Sequence, residues 1–123
     1  MGRAIRVLLA GAVAVVAAGC IGGSPSCDAL PTAIELTVTS ETLTPQDPAV
    51  CRGREVTLTV TSEVDGVFHI HGYDEQAPAA TVTAGETVEL VFTASRSGQF
   101  PIELHTDENT QGVTLGIFTV HEP

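Results

Sequence analysis

Residues 56–61 read Val-Thr-Leu-Thr-Val-Thr, an alternation of aliphatic and polar side chains. Because neighbouring side chains of a β-strand point to opposite faces, this period of two predicts a strand with one face in an apolar core. Related apolar patterns, bounded by glycine- or proline-containing turn signals, recur along the chain at 34–39, 67–73, 79–83, 88–93, 100–105 and 117–120. Together they predict an all-β domain of about seven short strands, arranged as a sandwich or a small barrel.

The composition limits the size of the domain and the kind of partner. The chain has 123 residues, 43% of them hydrophobic, which is enough for one domain with an apolar core. Its formal charge is −10, and the sequence contains no lysine. We therefore expect no nucleic-acid partner, because few side chains here can neutralise phosphates.

The amino terminus has the features of a secretion signal. Arg3 and Arg6 precede an apolar run at 7–18, which is followed by the small residues before Cys20. A charged start, a short apolar middle and small residues at a cleavage point are typical of a signal peptide, here predicted at 1–19. The run is too short to span a bilayer core of about 30 Å. The alternative is a short membrane anchor that is not cleaved.

The sequence Ala-Ala-Gly before Cys20 resembles the lipobox of bacterial lipoproteins. That resemblance implies that Cys20 carries a diacylglyceride and becomes the mature amino terminus. The predicted organisation is then a lipidated cysteine and tether at 20–32 and a domain at 33–123. The expected location is the extracytoplasmic face of a bacterial cell membrane, with lipid rather than protein charge as the anchor, since the remaining domain is strongly acidic.

Two cysteines remain once Cys20 is set aside for lipid, namely Cys27 and Cys51. Outside the cytoplasm an isolated pair most often closes a disulfide, so we predict that these two residues are bonded. A redox-active or metal-binding pair is the alternative. The spacing of the two cysteines favours neither a redox-active pair nor a metal-binding pair, because it matches no CxxC or metal-ligand pattern.

Three histidines are the candidate chemistry-bearing residues. His69 and His71 are two apart on a predicted strand, so their side chains leave the same face. His105 ends a later strand, after Glu103 and Leu104. Three imidazoles that converge would form a site for copper or zinc. The alternative is a partly solvated strand face with no bound ion.

The chain resembles the cupredoxin-like family over about residues 53–121, including secreted domains found with bacterial iron-transport proteins and cytochrome oxidase subunit II. The motifs that carry the resemblance are GREVTL at 53–58, HIHGYD at 69–74, TAGETV at 83–88, SGQF at 97–100 and GIFTV at 116–120. The resemblance implies a Greek-key β-sandwich with any metal at one end. It also implies that His71 occupies a ligand position.

The chain departs from the copper-carrying members at the remaining ligands. Leu104 falls where their cysteine would be, Cys51 is the last cysteine, and Met1 is the only methionine. A blue-copper electron-transfer centre requires that thiolate. We therefore expect no such centre here.

Two functional hypotheses follow from the sequence. In the first, His69, His71 and His105 bind Cu(II), or less favourably Zn(II), for metal delivery, buffering or sensing. In the second, no metal binds, and the sandwich is an interaction domain that contacts an unknown protein of an envelope assembly. We expect no enzymatic activity, because the chain lacks a nucleophile elbow, a P-loop and a zincin motif.

Overall fold

A computed structural model describes residues 25–123. The predicted signal peptide at 1–19 and Cys20 lie outside the described residues, so cleavage and acylation stay predictions. Within residues 25–123, the structure contains no helix of the length and apolar character needed to cross a bilayer.

The described chain consists almost entirely of strands. A short 3-10 helix, Cys27–Ala29, comes first. The strands are β1 (Ala33–Val38), β2 (Leu43–Thr44), β3 (Ala49–Cys51), β4 (Glu55–Ser62), β5 (Gly66–Ile70), β6 (Ala80–Val82), β7 (Thr87–Thr93), β8 (Gly98–His105) and β9 (Val113–His121).

The strands form two sheets that pack as a sandwich. One sheet has four strands in the order β2-β1-β4-β7, and the other has five in the order β3-β9-β8-β5-β6. Most neighbours are antiparallel, but β1 is parallel to β4 and β3 is parallel to β9. The predicted all-β sandwich is confirmed. The count is nine strands rather than about seven, because β2 and β3 are too short to show a period of two.

The core lies between the inner faces of the two sheets. In β4 every second residue is buried, as the alternation at 56–61 predicts. Phe92 and Phe118 are buried in this core, and Phe100 is only 8% exposed. The hydrophobic segments therefore supply one continuous apolar interior.

Tyr73 fixes the loop that follows β5. Its side chain is fully buried, and its ring centroid lies 4.5 Å from that of Phe100. The hydroxyl donates to the carbonyl of Arg96 at 3.1 Å and accepts from the amide of Arg96 at 3.2 Å. The Arg96 guanidinium in turn donates to the carbonyl of Gly72 at 2.8 Å. These contacts hold in place the loop that continues from His71.

One end of the sandwich is closed by a disulfide and an ion pair. Cys27 and Cys51 are bonded, as predicted, with Cα atoms 5.6 Å apart. Nearby, the Glu122 carboxylate accepts from the Ser97 hydroxyl at 2.5 Å and from Arg52 Nη2 at 2.8 Å. The hydrogen bond from Ser97, and then the bonds from Arg52, lower the pKa of Glu122 below its usual value of 4.5.

The lowered pKa of Glu122 predicts a pH-dependent contribution to stability. Because the folded state favours the ionised carboxylate, the contribution is present above the unfolded pKa and is lost as pH falls through the folded pKa. We expect Glu122→Gln to be less stable than the wild type at neutral pH, with the difference shrinking below about pH 4.5. Urea unfolding at several pH values measures this. Glu89→Gln, on the exposed face of β7, is the control; a constant difference for Glu122→Gln across the range contradicts the prediction.

Candidate functional site

The paired strands β5 and β8 place four polar side chains in one patch. His69 lies directly opposite Glu103 in the antiparallel register. His71 and His105 each follow two residues later on their own segments, so they share the same side of the sheet. The intervening residues Phe68, Ile70, Ile102 and Leu104 are buried in the core. The patch therefore lies on the outer face of the five-stranded sheet.

Three imidazoles surround one carboxylate oxygen. Glu103 Oε2 lies 3.5 Å from His69 Nε2, 3.6 Å from His71 Nδ1 and 3.5 Å from His105 Nε2. We call these four residues the histidine–glutamate cluster. His69 and Glu103 are the most enclosed members, with side chains 18% and 21% exposed, whereas the side chain of His71 is 64% exposed. The cluster is open to solvent on the side of His71.

A hydrogen bond to one ring and a close carboxylate contact to the other lie on the far sides of the two rings and set their orientation. His69 Nδ1 lies 2.5 Å from Asp74 Oδ1, and His105 Nδ1 lies 3.1 Å from the carbonyl oxygen of Thr110. The Thr110 carbonyl can only accept, so His105 Nδ1 donates to it. The Nε2 atoms of both rings face Glu103, and Nε2 presents a lone pair when the proton is on Nδ1. Such an outer partner is the usual arrangement around metal-binding histidines.

The geometry of the cluster can accommodate a cation. Lone pairs on two Nε2 atoms that face a carboxylate oxygen repel it, unless a proton or a metal ion lies between them. The distances of 3.5–3.6 Å are too short for a water molecule to bridge the atoms. Two ligands at about 2.1 Å from one tetrahedral metal lie about 3.4 Å apart, which is close to these separations.

The potential ligand atoms of three cluster members lie close enough together to contact one metal ion. One ligand atom each from His69, Glu103 and His105 lie within 4.8 Å of one another. His71 reaches the same carboxylate but lies outside that closest group. The three enclosed residues thus form the centre of the cluster, with His71 at its solvent side.

Gly112 makes room for the His105 ring. A Cβ atom at Gly112 would lie 2.7 Å from His105 Cε1 and 2.9 Å from Nε2. The residue also has a φ of +87°, a conformation that favours glycine. The turn that carries Thr110 and Gly112 therefore holds the imidazole from two sides.

The structure brings together all three predicted histidines, but it adds a residue and changes the location. Glu103 was not among the predicted ligands, although the spacing Glu103-x-His105 opposite His69-x-His71 could have indicated it. The resemblance implied a metal at one end of the sandwich. His71 instead lies beside Pro101 of β8, and the His71 amide donates to the Pro101 carbonyl at 2.8 Å. The loop at 106–112, which follows His105, lies beyond the opposite end of β5. The cluster therefore lies along the face of the sheet, between these two points, rather than at one end of the sandwich.

A shallow cleft of about 390 Å³ adjoins the cluster at His105. Asp65 and Asp107 line it, together with Val67 and Thr106. These carboxylates give the approach to His105 a negative potential, which raises the local concentration of cations.

Comparison with solved structures identifies the fold. The chain is similar to reduced auracyanin from the photosynthetic bacterium Roseiflexus castenholzii, with 19% sequence identity and a TM-score of 0.56; the match covers 75% of this chain and 98% of that chain. It is also similar to a heme-copper terminal oxidase, with 16% identity and a TM-score of 0.58, over 73% of this chain and 65% of that chain. These likenesses confirm a cupredoxin-like fold. No protein-family model matches the chain, and no curated protein sequence matches it.

The contact between Gly112 and His105 predicts a selective effect of a single methyl group. We expect Gly112→Ala to displace the His105 ring and to be more destabilising than Gly85→Ala. Gly85 has a similar φ of +80° but has nothing within 4 Å of an added Cβ. Both variants carry the same backbone strain, of roughly 1 kcal/mol, so the difference between them reports the ring contact. Urea unfolding and the NMR signals of the His105 ring measure it; equal effects contradict the prediction.

Proposed function

We propose that this protein is a lipid-anchored extracytoplasmic domain that binds a divalent metal ion, Cu(II) in preference to Zn(II), through the histidine–glutamate cluster. The role we propose is metal delivery, buffering or sensing. The single observation that carries the proposal is the convergence of three imidazole nitrogens on Glu103 Oε2.

The types of ligand support a divalent ion. Imidazole nitrogen and carboxylate oxygen suit Cu(II) and Zn(II), whereas Cu(I) prefers sulfur. The cysteines of the described domain, Cys27 and Cys51, are bonded to each other. Copper ranks above zinc because a given nitrogen and oxygen site binds Cu(II) more tightly in the general order of divalent affinities.

The enclosure of the cluster supports a role in exchange rather than permanent storage. Three of its members are partly shielded, but His71 is mostly exposed. An incoming ion can therefore meet His71 first and then the enclosed nitrogens. An acceptor protein can reach the same ligand from outside, which suits a site that loads and releases its ion.

Substitution of the enclosed ligands tests the proposal. We expect His69→Ala, His105→Ala and Glu103→Gln each to weaken Cu(II) binding, since each removes a ligand or its charge. We also expect Asp74→Ala to weaken binding about 10–100-fold, because it removes the carboxylate that orients His69. Isothermal titration of the purified residues 20–123 with Cu(II) and Zn(II) measures these effects.

His121→Ala is the matched control. His121 belongs to the same sheet but lies opposite Cys51, at the end of β9. Its loss leaves Cu(II) affinity unchanged if the cluster is the site. Undiminished binding in His69→Ala and His105→Ala, or no binding by the wild type, refutes the proposal. The second result would favour the metal-free interaction domain instead.

The proposed ligands also predict a pH dependence. Protonated imidazole cannot bind a metal, so we expect Cu(II) affinity to fall more than tenfold between about pH 7.5 and about pH 5. A site made only of surface carboxylates would keep its affinity to about pH 4. Titrations at several pH values separate the two, and constant affinity down to about pH 5 would exclude ligation by histidine.

A further inference from the structure

Glu103 is the one carboxylate of the histidine–glutamate cluster. Its Oε2 atom lies 3.5 Å from the Nε2 atoms of His69 and His105, and 3.6 Å from Nδ1 of His71. The other three members are imidazoles, which bind a metal in the neutral form. The negative charge that the cluster presents to an ion therefore comes from Glu103.

The neighbours of Glu103 leave this charge uncompensated. On the outer face of the sheet it lies opposite His69 of β5 and Thr114 of β9. Pro101 and His105 take the adjacent outward positions along β8. The arginine ion pairs found within residues 25–123 involve other carboxylates. A bound ion would therefore meet a carboxylate that no arginine has already paired.

The partial enclosure of Glu103 strengthens its effect on an ion. The side chains of Glu103 and His69 are only 21% and 18% exposed, so bulk water screens the carboxylate less than it would at an open surface. Coulomb energy scales with the product of the charges, so one carboxylate attracts an ion of charge +2 about twice as strongly as an ion of charge +1 at the same distance. A neutral imidazole exerts no such preference.

The chemical type of the ligand acts in the same direction as its charge. Cu(I) prefers thiolate and thioether sulfur, whereas Cu(II) accepts nitrogen and oxygen. Cys27 and Cys51 are bonded to each other, and residues 25–123 contain no methionine. The described domain thus offers Cu(I) no thiol or thioether that could offset the preference of the carboxylate.

We propose that Glu103 makes the cluster selective for Cu(II) over Cu(I), so that copper bound there resists reduction. The proposal rests on the metal binding described under the proposed function. A site that binds Cu(II) more tightly than Cu(I) lowers the reduction potential of the bound ion, by about 59 mV for each factor of ten in the ratio of the two dissociation constants. The histidines supply affinity for either ion, and the carboxylate selects the charge. Copper is then carried in the divalent state, without electron transfer.

Titration with both oxidation states of copper tests the role of Glu103. The full chain is exported by a bacterium and purified, and free thiols are alkylated so that they do not compete for Cu(I). Isothermal titration gives the dissociation constant for Cu(II), and anaerobic competition with bicinchoninate gives that for Cu(I).

We expect Glu103→Gln to weaken Cu(II) binding more than about tenfold but Cu(I) binding less than about threefold. The substitution removes the charge while it keeps the size of the side chain and a neutral oxygen. The reduction potential of the bound ion would then be at least about 30 mV higher than in the wild type. Glu103→Met, which supplies a thioether, should bind Cu(I) more tightly than the wild type.

Two matched variants separate selection by charge from the mere loss of a ligand. His105→Ala removes a neutral ligand, so we expect it to weaken binding of both ions by similar factors and to leave their ratio within about threefold of the wild type. Glu89→Gln removes one negative charge from the exposed face of β7 in the other sheet. Both dissociation constants should stay unchanged in that variant.

The inference is wrong if Glu103→Gln weakens Cu(II) and Cu(I) binding by the same factor. It is also wrong if His105→Ala changes the ratio of the two constants as much as Glu103→Gln does. Either result, in a wild-type chain that binds Cu(II), leaves the proposed metal site intact. A wild-type chain that does not bind Cu(II) refutes the proposed function itself, and selection between the two ions falls with it.

Discussion

The site depends on the antiparallel register between β5 and β8. That register buries Phe68, Ile70, Ile102 and Leu104, and this burial is the main source of stability for the two strands. Because the side chains of a strand alternate, the residues between them must point outward. A shift by one residue would place the imidazoles in the core and the apolar side chains in water, at a prohibitive cost. The packing of the core thus also determines the positions of the histidines.

Neighbouring contacts convert this placement into defined ring orientations. Tyr73 is buried and holds the loop after β5, so Asp74 meets the back of the His69 ring. On the other side, the carbonyl of Thr110 fixes His105 and Gly112 leaves space for it. These partners order the side chains in advance, which would lower the entropic cost of the proposed metal binding. The HGYD sequence is therefore a structural unit: glycine turns the chain, tyrosine anchors it, and aspartate returns to the histidine.

Asp65 and Asp107 line the cleft beside His105. Their carboxylates favour the approach of cations to the proposed site.

The sequence alone was sufficient for the longer strands, the cysteine pair and the three histidines, but not for the short strands β2 and β3. The alternation at 56–61 and its repeats indicate which side chains of each strand face the core. This can be predicted without knowing the neighbouring strand, because the period of two belongs to the strand itself. Glu103 was not predicted as part of the site, because its role depends on lying opposite His69, and pairing between strands distant in sequence is a property of the tertiary structure. The location of the cluster on a sheet face, rather than at the end of the sandwich, was decided in the same way. The antiparallel pairing of β5 and β8 within one sheet determines which of their residues lie side by side.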